Sequence, residues 1–508
     1  MTRQTRRDFL KTAAAGAALT LTGASAFGQD GTKSAKKRRP KPKVSDKIVG
    51  ANERIRVGVA GIHGRGGSHI SEFASMPGVE VAYLIDPDSR TFKQRIKEVE
   101  RLGKNTPKCF QDIRKALEEK DLNAVSIATC NHWHSLITYW ACQHEKDVYV
   151  EKPCSHNVFE GRKCVEAARH YKRIVQHGTQ GRSSQSTARA CAAAQSGKYG
   201  KLLVSKAWAS KERWSIKFKP AKEPPKEVDF NLWLGPAPVQ PYHENLVHYE
   251  WHWFWDFGNG EIGNQGVHQM DIARWSIGEL TQPFTVISMG GRWVEGPDFK
   301  DQGQTPNLHL TVFDIGGRLI VYEIRGLNKS KAHPDSPDIQ HVDNEFYLDE
   351  GVIKDVDRRP KFYPKGKDKA EPLDGVKVKM GPGEGNHFAN FIDAVRSRKV
   401  EDLNADIATG HPSAMLGHLG NISYRLGKQV PFGKEYDALG QNEHIEASVK
   451  AIEEQLKGVL GMDLSKATYQ LGAKLRFDPK TEKFIDNPEA DKLLTRDYRE
   501  PFVVRQTV

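Results

Sequence analysis

The chain has 508 residues, more than one hydrophobic core usually organises, so two domains with extensions are expected. At 38% hydrophobic and 28% charged it is ordinary globular material, and after the N-terminal segment no apolar run is long enough to span a bilayer. The formal charge of +12 does not mark a nucleic-acid binder: residues 1–50 hold twelve Lys/Arg against three Asp, or +9, leaving +3 for residues 51–508.

The N-terminus reads as a targeting segment. Thr5-Arg6-Arg7-Asp8-Phe9-Leu10-Lys11 has the twin-arginine export pattern, the weakly apolar stretch Thr12 to Thr22 follows, and Ala24-Ser25-Ala26 suits cleavage. No cysteine lies near that point, so no lipid or other stable membrane anchor is expected. The twin-arginine machinery would deliver a soluble protein to the periplasm or beyond. Residues 1–28 are thus assigned to the signal peptide, and 29–50, rich in Lys, Arg and Pro, to a disordered basic linker. The six cysteines (Cys109, Cys130, Cys142, Cys154, Cys164, Cys191) show neither Cys-x-x-Cys nor zinc-like His/Cys spacing, so no metal site is expected. Folding in the cytoplasm before export favours buried free thiols, while the oxidising destination leaves disulfides open.

From Arg54 onward short apolar runs alternate with helical periodicity. Strands are expected at Ile55–Ala60, Val79–Ile85, Ala124–Ala128, Val148–Val150 and Ile174–Gln176. Helices are expected at Gly67–Ser75, Ser89–Leu102, Asp112–Glu119, Ser135–Gln143 and Phe159–His170. This order predicts an α/β fold, a doubly wound Rossmann parallel sheet over residues 51–180. After Gln180 the chain turns rich in Trp, Pro and Gly. Strand-like runs at Leu308–Phe313, Leu319–Ile324 and Glu345–Leu348 predict an α+β domain on a largely antiparallel open sheet over 181–432, closed by helices His387–Arg398 and Pro412–Leu426. Residues 433–508 read as a polar C-terminal extension.

Three constellations carry chemistry. The first is the turn Gly61-Ile62-His63-Gly64-Arg65-Gly66 after the first strand, which suits a pyrophosphate over a helix N-terminus although His63 stands where the usual pattern has glycine. Asp86 ends the second strand, at the distance where an acid reaches the adenosine ribose and favours NAD; the lesser reading is a helix cap, and Arg90 keeps NADP open. The second lies at two further strand ends: Thr129, Asn131 and His134 after one, and Glu151-Lys152-Pro153 after the other. Ligands of open α/β sheets bind at such carboxyl ends. The third is the aromatic block Trp251 to Gly260 running into Asn264, His268 and Asp271. There Trp253 offers a face to a sugar ring and Asp271 a carboxylate to its hydroxyls.

The order of these motifs, from the glycine turn through Asp86, Asn131-x-x-His134 and Glu151-Lys152-Pro153 to Gly266-x-His268-x-x-Asp271 and Asp402-Leu403-Asn404-Ala405, resembles the glucose-fructose oxidoreductase / inositol dehydrogenase / rhizopine-catabolism (Gfo/Idh/MocA) family. The resemblance spans roughly residues 54–430. It implies hydride transfer between a nicotinamide and a hydroxyl of a small carbohydrate or cyclitol, and a homo-oligomer built on the open sheet. It also implies that Lys152 is the catalytic lysine and His268 the acid/base. Asn264 stands where the family usually has Asp. A histidine can take the hydroxyl proton and a lysine ammonium can stabilise the alkoxide. Export, where free NAD is scarce, suits a tightly bound cofactor. Three functions are open: a sugar dehydrogenase, a glycosidase-like or epimerising enzyme using transient oxidation, and a non-catalytic sugar-binding relative.

Overall fold

The computed structural model describes residues 54–295, 299–339 and 341–508. The export signal, its cleavage point and the linker lie outside the described residues.

Residues 55–177 alternate strand and helix. The strands are β1 (Ile55–Ala60), β2 (Val79–Ile85), β3 (Lys108–Phe110), β4 (Ala124–Ile127), β5 (Asp147–Val150) and β6 (Val175–His177). Between them run α1 (Arg65–Ala74), α2 (Phe92–Gly103), α3 (Ile113–Leu117), α4 (Asn131–Gln143) and α5 (Val158–His170). All six strands are parallel, in the order β3-β2-β1-β4-β5-β6. β1 and β4 lie at its centre, with Val57, Val59, Val125 and Ile127 fully buried, as both faces of a doubly wound sheet require. The order reverses between β1 and β4, and the crevice at that switch is the expected ligand site. The alternation places five of the strands; β3, three half-exposed residues, carries too little apolar signal to be read from sequence.

The second part is a mixed sheet of 12 strands. Its centre is β7 (Leu202–Ser210), parallel to β10 (Arg318–Arg325) and antiparallel to β11 (His341–Leu348). β9 (Leu308–Ile315) and β8 (Phe284–Gly291) continue it on one side by antiparallel pairing. On the other side lie β12 (Gly351–Lys354), β13 (Lys361–Pro364) and β14 (Glu371–Pro372). Helices α6 (Gln185–Gln195), α7 (Phe230–Leu234), α8 (Gly260–Asn264), α9 (Gly266–Ile277), α10 (His387–Ser397) and α11 (Ile407–Arg425) follow in chain order, α9 and α11 packing on the sheet. Helix α11 begins five residues earlier than Pro412 suggests, because Asp406 caps it by accepting from the Ala408 N–H.

The C-terminal residues are built into this fold. Helix α12 (Glu443–Leu460) covers the opposite sheet face with Ile445, Val449, Ile452 and Leu456, and β15 (Lys428–Pro431), β16 (Thr468–Leu471) and β17 (Leu475–Asp478) extend the sheet beyond β8. The last residues return to the Rossmann part. Phe502 is buried at 1% exposure and packs edge-on against Trp133 at 5.4 Å, while Arg499 donates to the Gly235 and Asn231 carbonyls. All six cysteines are free thiols, and Cys142, Cys154, Cys164 and Cys191 are buried.

Candidate active site

A cavity of about 440 Å³ opens at the switch point, where the carboxyl ends of β1, β2, β4 and β5 meet the segment before α8 and the residues Asn264 of α8 and His268 of α9. Gly61, His63, Gly64, Arg65, Asp86, Thr129, Asn131, His134, Glu151, Lys152, Asn264 and His268 all line it.

The glycine turn is shaped for close approach. Gly61 has φ +79°, and a Cβ on it would lie 2.6 Å from the backbone of Ala128 and Thr129. A Cβ on Gly66, which sits beneath the turn rather than on the cavity wall, would lie 2.0 Å from the Gly61 carbonyl. Gly64 differs: its Cβ would meet nothing within 4 Å, so this residue faces open space. It is also the N-cap of α1, where no side chain caps the helix and no acid stands in the first turn. Unfilled space over free helix N–H groups is what a pyrophosphate needs, so the residues present fit a dinucleotide.

Asp86 is drawn into that turn. Its two oxygens accept from the Ile62 and Asp88 N–H groups, each at 2.9 Å, and burial pushes its pKa up to about 6. Arg90 does not reach the cavity wall; it is forked onto Asp88 at 2.6–3.1 Å, the expected outcome for a guanidinium two residues from a carboxylate. Asp88 also holds His248 at 2.7 Å, and the His248 ring stacks on His63 at 3.9 Å and 5°. His63, which replaces the usual glycine of the turn, thus forms one half of a clasp at the cavity wall.

Glu151 is buried and fully engaged. Its Oε1 accepts from Arg65 at 2.8 Å, His69 at 3.1 Å and Gln180 at 3.1 Å, and its Oε2 from the Lys152 N–H at 3.2 Å. Despite burial, the hydrogen bond from His69 and the Arg65 charge hold this carboxyl well below its usual range. The ring nitrogens of His134 lie 2.6 Å from the Pro153 carbonyl and 3.0 Å from that of Thr129, so this side chain braces the Lys152-Pro153 turn. Asn131 donates to Asn259 at 3.2 Å.

Lys152 donates through Nζ to the Asn264 carbonyl at 2.5 Å. Burial lowers its pKa, while Glu151 and Glu261 pull it back up. His268 shares the cavity; burial, then the Lys152 charge, push its pKa down to about 3, so the ring is neutral.

Two expected substrate residues are elsewhere. Asp271 is 1% exposed and locked between Arg182, at 2.9 and 3.0 Å, and Ser413, at 2.6 Å. A carboxylate so placed neutralises a buried guanidinium and has no face to the cavity. Trp253 is 4% exposed, donating to Glu250 at 2.5 Å, with Arg213 over its ring. Its neighbours Trp251 and His252, stacked at 3.6 Å, line the cavity instead, with Tyr249. The 3₁₀ turn Glu250–Trp253, which alternation along the sequence does not reveal, decides which ring faces in. Gln180 was legible in principle, because it follows β6 at a strand carboxyl end. Glu261 was not, since only its contacts distinguish it.

This geometry defines a class: a dinucleotide-binding Rossmann protein whose second domain completes the cavity. Residues 55–179 match the oxidoreductase-family profile described as an NAD-binding Rossmann fold, residues 197–289 that family's C-terminal alpha/beta domain, and residues 4–23 the twin-arginine translocation signal. The chain belongs to the Gfo/Idh/MocA oxidoreductase family, its first domain is an NAD-binding domain, and it is exported by the twin-arginine pathway. Among described residues no helix is long and apolar enough to cross a membrane.

Among curated relatives, glycosyl hydrolase family 109 protein 1 of Shewanella sp. (strain ANA-3) is 28% identical over 171 residues, 32% of this chain and 36% of that protein. An alpha-N-acetylgalactosaminidase of Shewanella oneidensis is 26% identical over the same length. The chain spans about a third of the length of these relatives. Among solved structures, the WlbA dehydrogenase from Bordetella pertussis with NADH and UDP-GlcNAcA gives a TM-score of 0.53 at 14% identity, covering 73% of this chain and 97% of that one. Levoglucosan dehydrogenase with NADH and levoglucosan gives 0.52 at 16%, covering 72% and 96%. At such identities the likeness is one of fold.

Proposed function

We propose that the protein is an exported NAD-dependent oxidoreductase that moves a hydride between the nicotinamide and a secondary hydroxyl of a sugar, sugar derivative or cyclitol. The reading rests on one observation: a single cavity is lined by the glycine turn and by Lys152, Asn264 and His268.

The N–H groups around Gly64 and Arg65 would hold the pyrophosphate, and Asp86 stands where it meets the adenosine ribose. NADP would bring its 2′-phosphate toward the Asp86 and Asp88 carboxylates, which disfavours it. When bound, NAD supplies the hydride acceptor. His268 takes the hydroxyl proton on a ring nitrogen. A base held near 3 requires an acidified hydroxyl, and the Lys152 ammonium provides this by stabilising the developing alkoxide.

A second reading is favoured by the His63–His248 clasp and the similarity to glycosyl hydrolase family 109 proteins. In it oxidation is transient, the hydride returns to the same sugar, and NAD stays bound throughout.

The test begins with the purified protein, which should release NAD(H) on denaturation. Reduced-nicotinamide absorbance rising when a sugar is added supports net oxidation; a sugar product without net cofactor change supports the second reading. Lys152→Ala and His268→Ala should each lose about 10²–10⁴ in turnover, with NAD content retained in the His268 variant. Full turnover in either variant would remove that residue from the mechanism.

A further inference from the structure

We propose that Glu261 positions the Lys152 ammonium by fixing Asn264 and sets a buried negative charge on its side of the cavity; the inference rests on the oxidoreductase reading above. Glu261 lies in α8 with a fully buried carboxylate. Its Oε2 accepts from Asn264 Nδ2 at 3.0 Å and from Arg213 Nε at 2.6 Å, and its Oε1 accepts from Arg213 Nη2 at 2.9 Å. The carbonyl of the same Asn264 accepts from Lys152 Nζ at 2.5 Å. Glu261 thus fixes the side chain of Asn264, and the main-chain carbonyl of that same residue holds the lysine.

Two further observations separate this from mere packing. A buried ion pair is usually no more stabilising than apolar side chains of equal volume, so the fold alone does not call for Glu261. The other carboxylate beside Lys152, that of Glu151, already serves Arg65, His69 and Gln180. Glu261 also faces a second ammonium, Lys211, whose Nζ donates to Gln265 at 2.7 Å. Glu261 thus acts on both lysines, and on Lys152 it does so together with Glu151. Burial acts to discharge Lys152, and Glu151 and then Glu261 oppose it.

Glu261→Gln keeps an acceptor for Asn264 and removes the charge. Competitive amine labelling of the purified protein across pH, with Lys152 quantified by mass spectrometry, reads the lysine without any turnover. The Lys152 profile should move to lower pH by about one unit, so that labelling near neutrality is about tenfold faster. With an active substrate in hand, kcat should fall while KM changes little, and the alkaline limb of the pH–rate profile should move the same way. A Lys152 profile superimposable on wild type in folded Glu261→Gln overturns the proposal. Should that variant fail to fold for want of a partner to Arg213, the double variant Glu261→Gln/Arg213→Gln carries the same test. A shifted profile in a protein that turns over no sugar would uphold the positioning role and overturn the oxidoreductase reading.

Discussion

The amide of Asn264 lies 3.0 Å from a Glu261 oxygen, so an acid at 264 would face another acid in a buried site. Two carboxylates at that distance cannot both ionise readily, and they titrate as a pair that shares a proton. Asn264→Asp should therefore slow turnover near neutrality and add an ionisation to the pH–rate profile, with one of the two pKa values raised well above the ordinary carboxylate range. The kcat profile of the variant against wild type checks this, and an unchanged profile would refute it. Asp86 is a similar case of a residue with two duties. Sequence spacing assigns it to the ribose; the structure also ties one of its oxygens to the Ile62 N–H of the turn and the other to the Asp88 N–H.

At the scale of elements, the segment from Glu227 to Trp253 crosses from the second domain to the end of β2. Ser89 N–H donates to the Glu227 carbonyl at 3.0 Å, Asp229 N–H to that of Pro87 at 2.9 Å, and His248 reaches Asp88 at 2.7 Å. This crossing lies beside the cavity wall formed by Asp86 and Pro87, so it restrains whatever occupies that end. His248→Ala deletes the charge-assisted hydrogen bond and the stack on His63. Asp88 keeps its bidentate partner Arg90, so the backbone crossing survives. The expected result is NAD held about tenfold more weakly at nearly unchanged melting temperature, read as cofactor lost on gel filtration. Retention equal to wild type would show that the clasp does not restrain the cofactor.

For the whole molecule, buried histidines set the response to acid. Burial lowers His132, His177, His309 and His418 to about 3 and His387 to about 4. In the unfolded chain each takes a proton near the ordinary 6.5. Between those limits the unfolded state binds more protons, so stability is full above about pH 7 and falls as pH drops toward about 4. Melting temperature measured across that window should decline steadily. His309, which does not line the cavity and whose Nδ1 has no partner, offers the control. His309→Gln should flatten the slope by at most one proton. A melting temperature insensitive to pH would mean these imidazoles titrate normally in the folded state.

What was legible in the chain was local. The export pattern, the strand–helix alternation, the glycine turn and the placing of Lys152 at a strand's carboxyl end each depend on neighbours within a few residues, whose periodicity and backbone preferences are written in order. What the tertiary structure alone decided involves partners far apart in sequence. Asp271 and Trp253 carry the right chemistry for a sugar site, yet Arg182 claims the first and the 3₁₀ turn at Glu250 turns the second inward. The residues after 432 look polar, but Phe502 completes a hydrophobic cluster around Trp133 more than three hundred residues away. Glu261 became visible only through the atoms it touches. A carboxylate reads the same in sequence whether it meets solvent, a guanidinium or a substrate, because its role is set by desolvation and by which charges the fold brings within hydrogen-bonding distance.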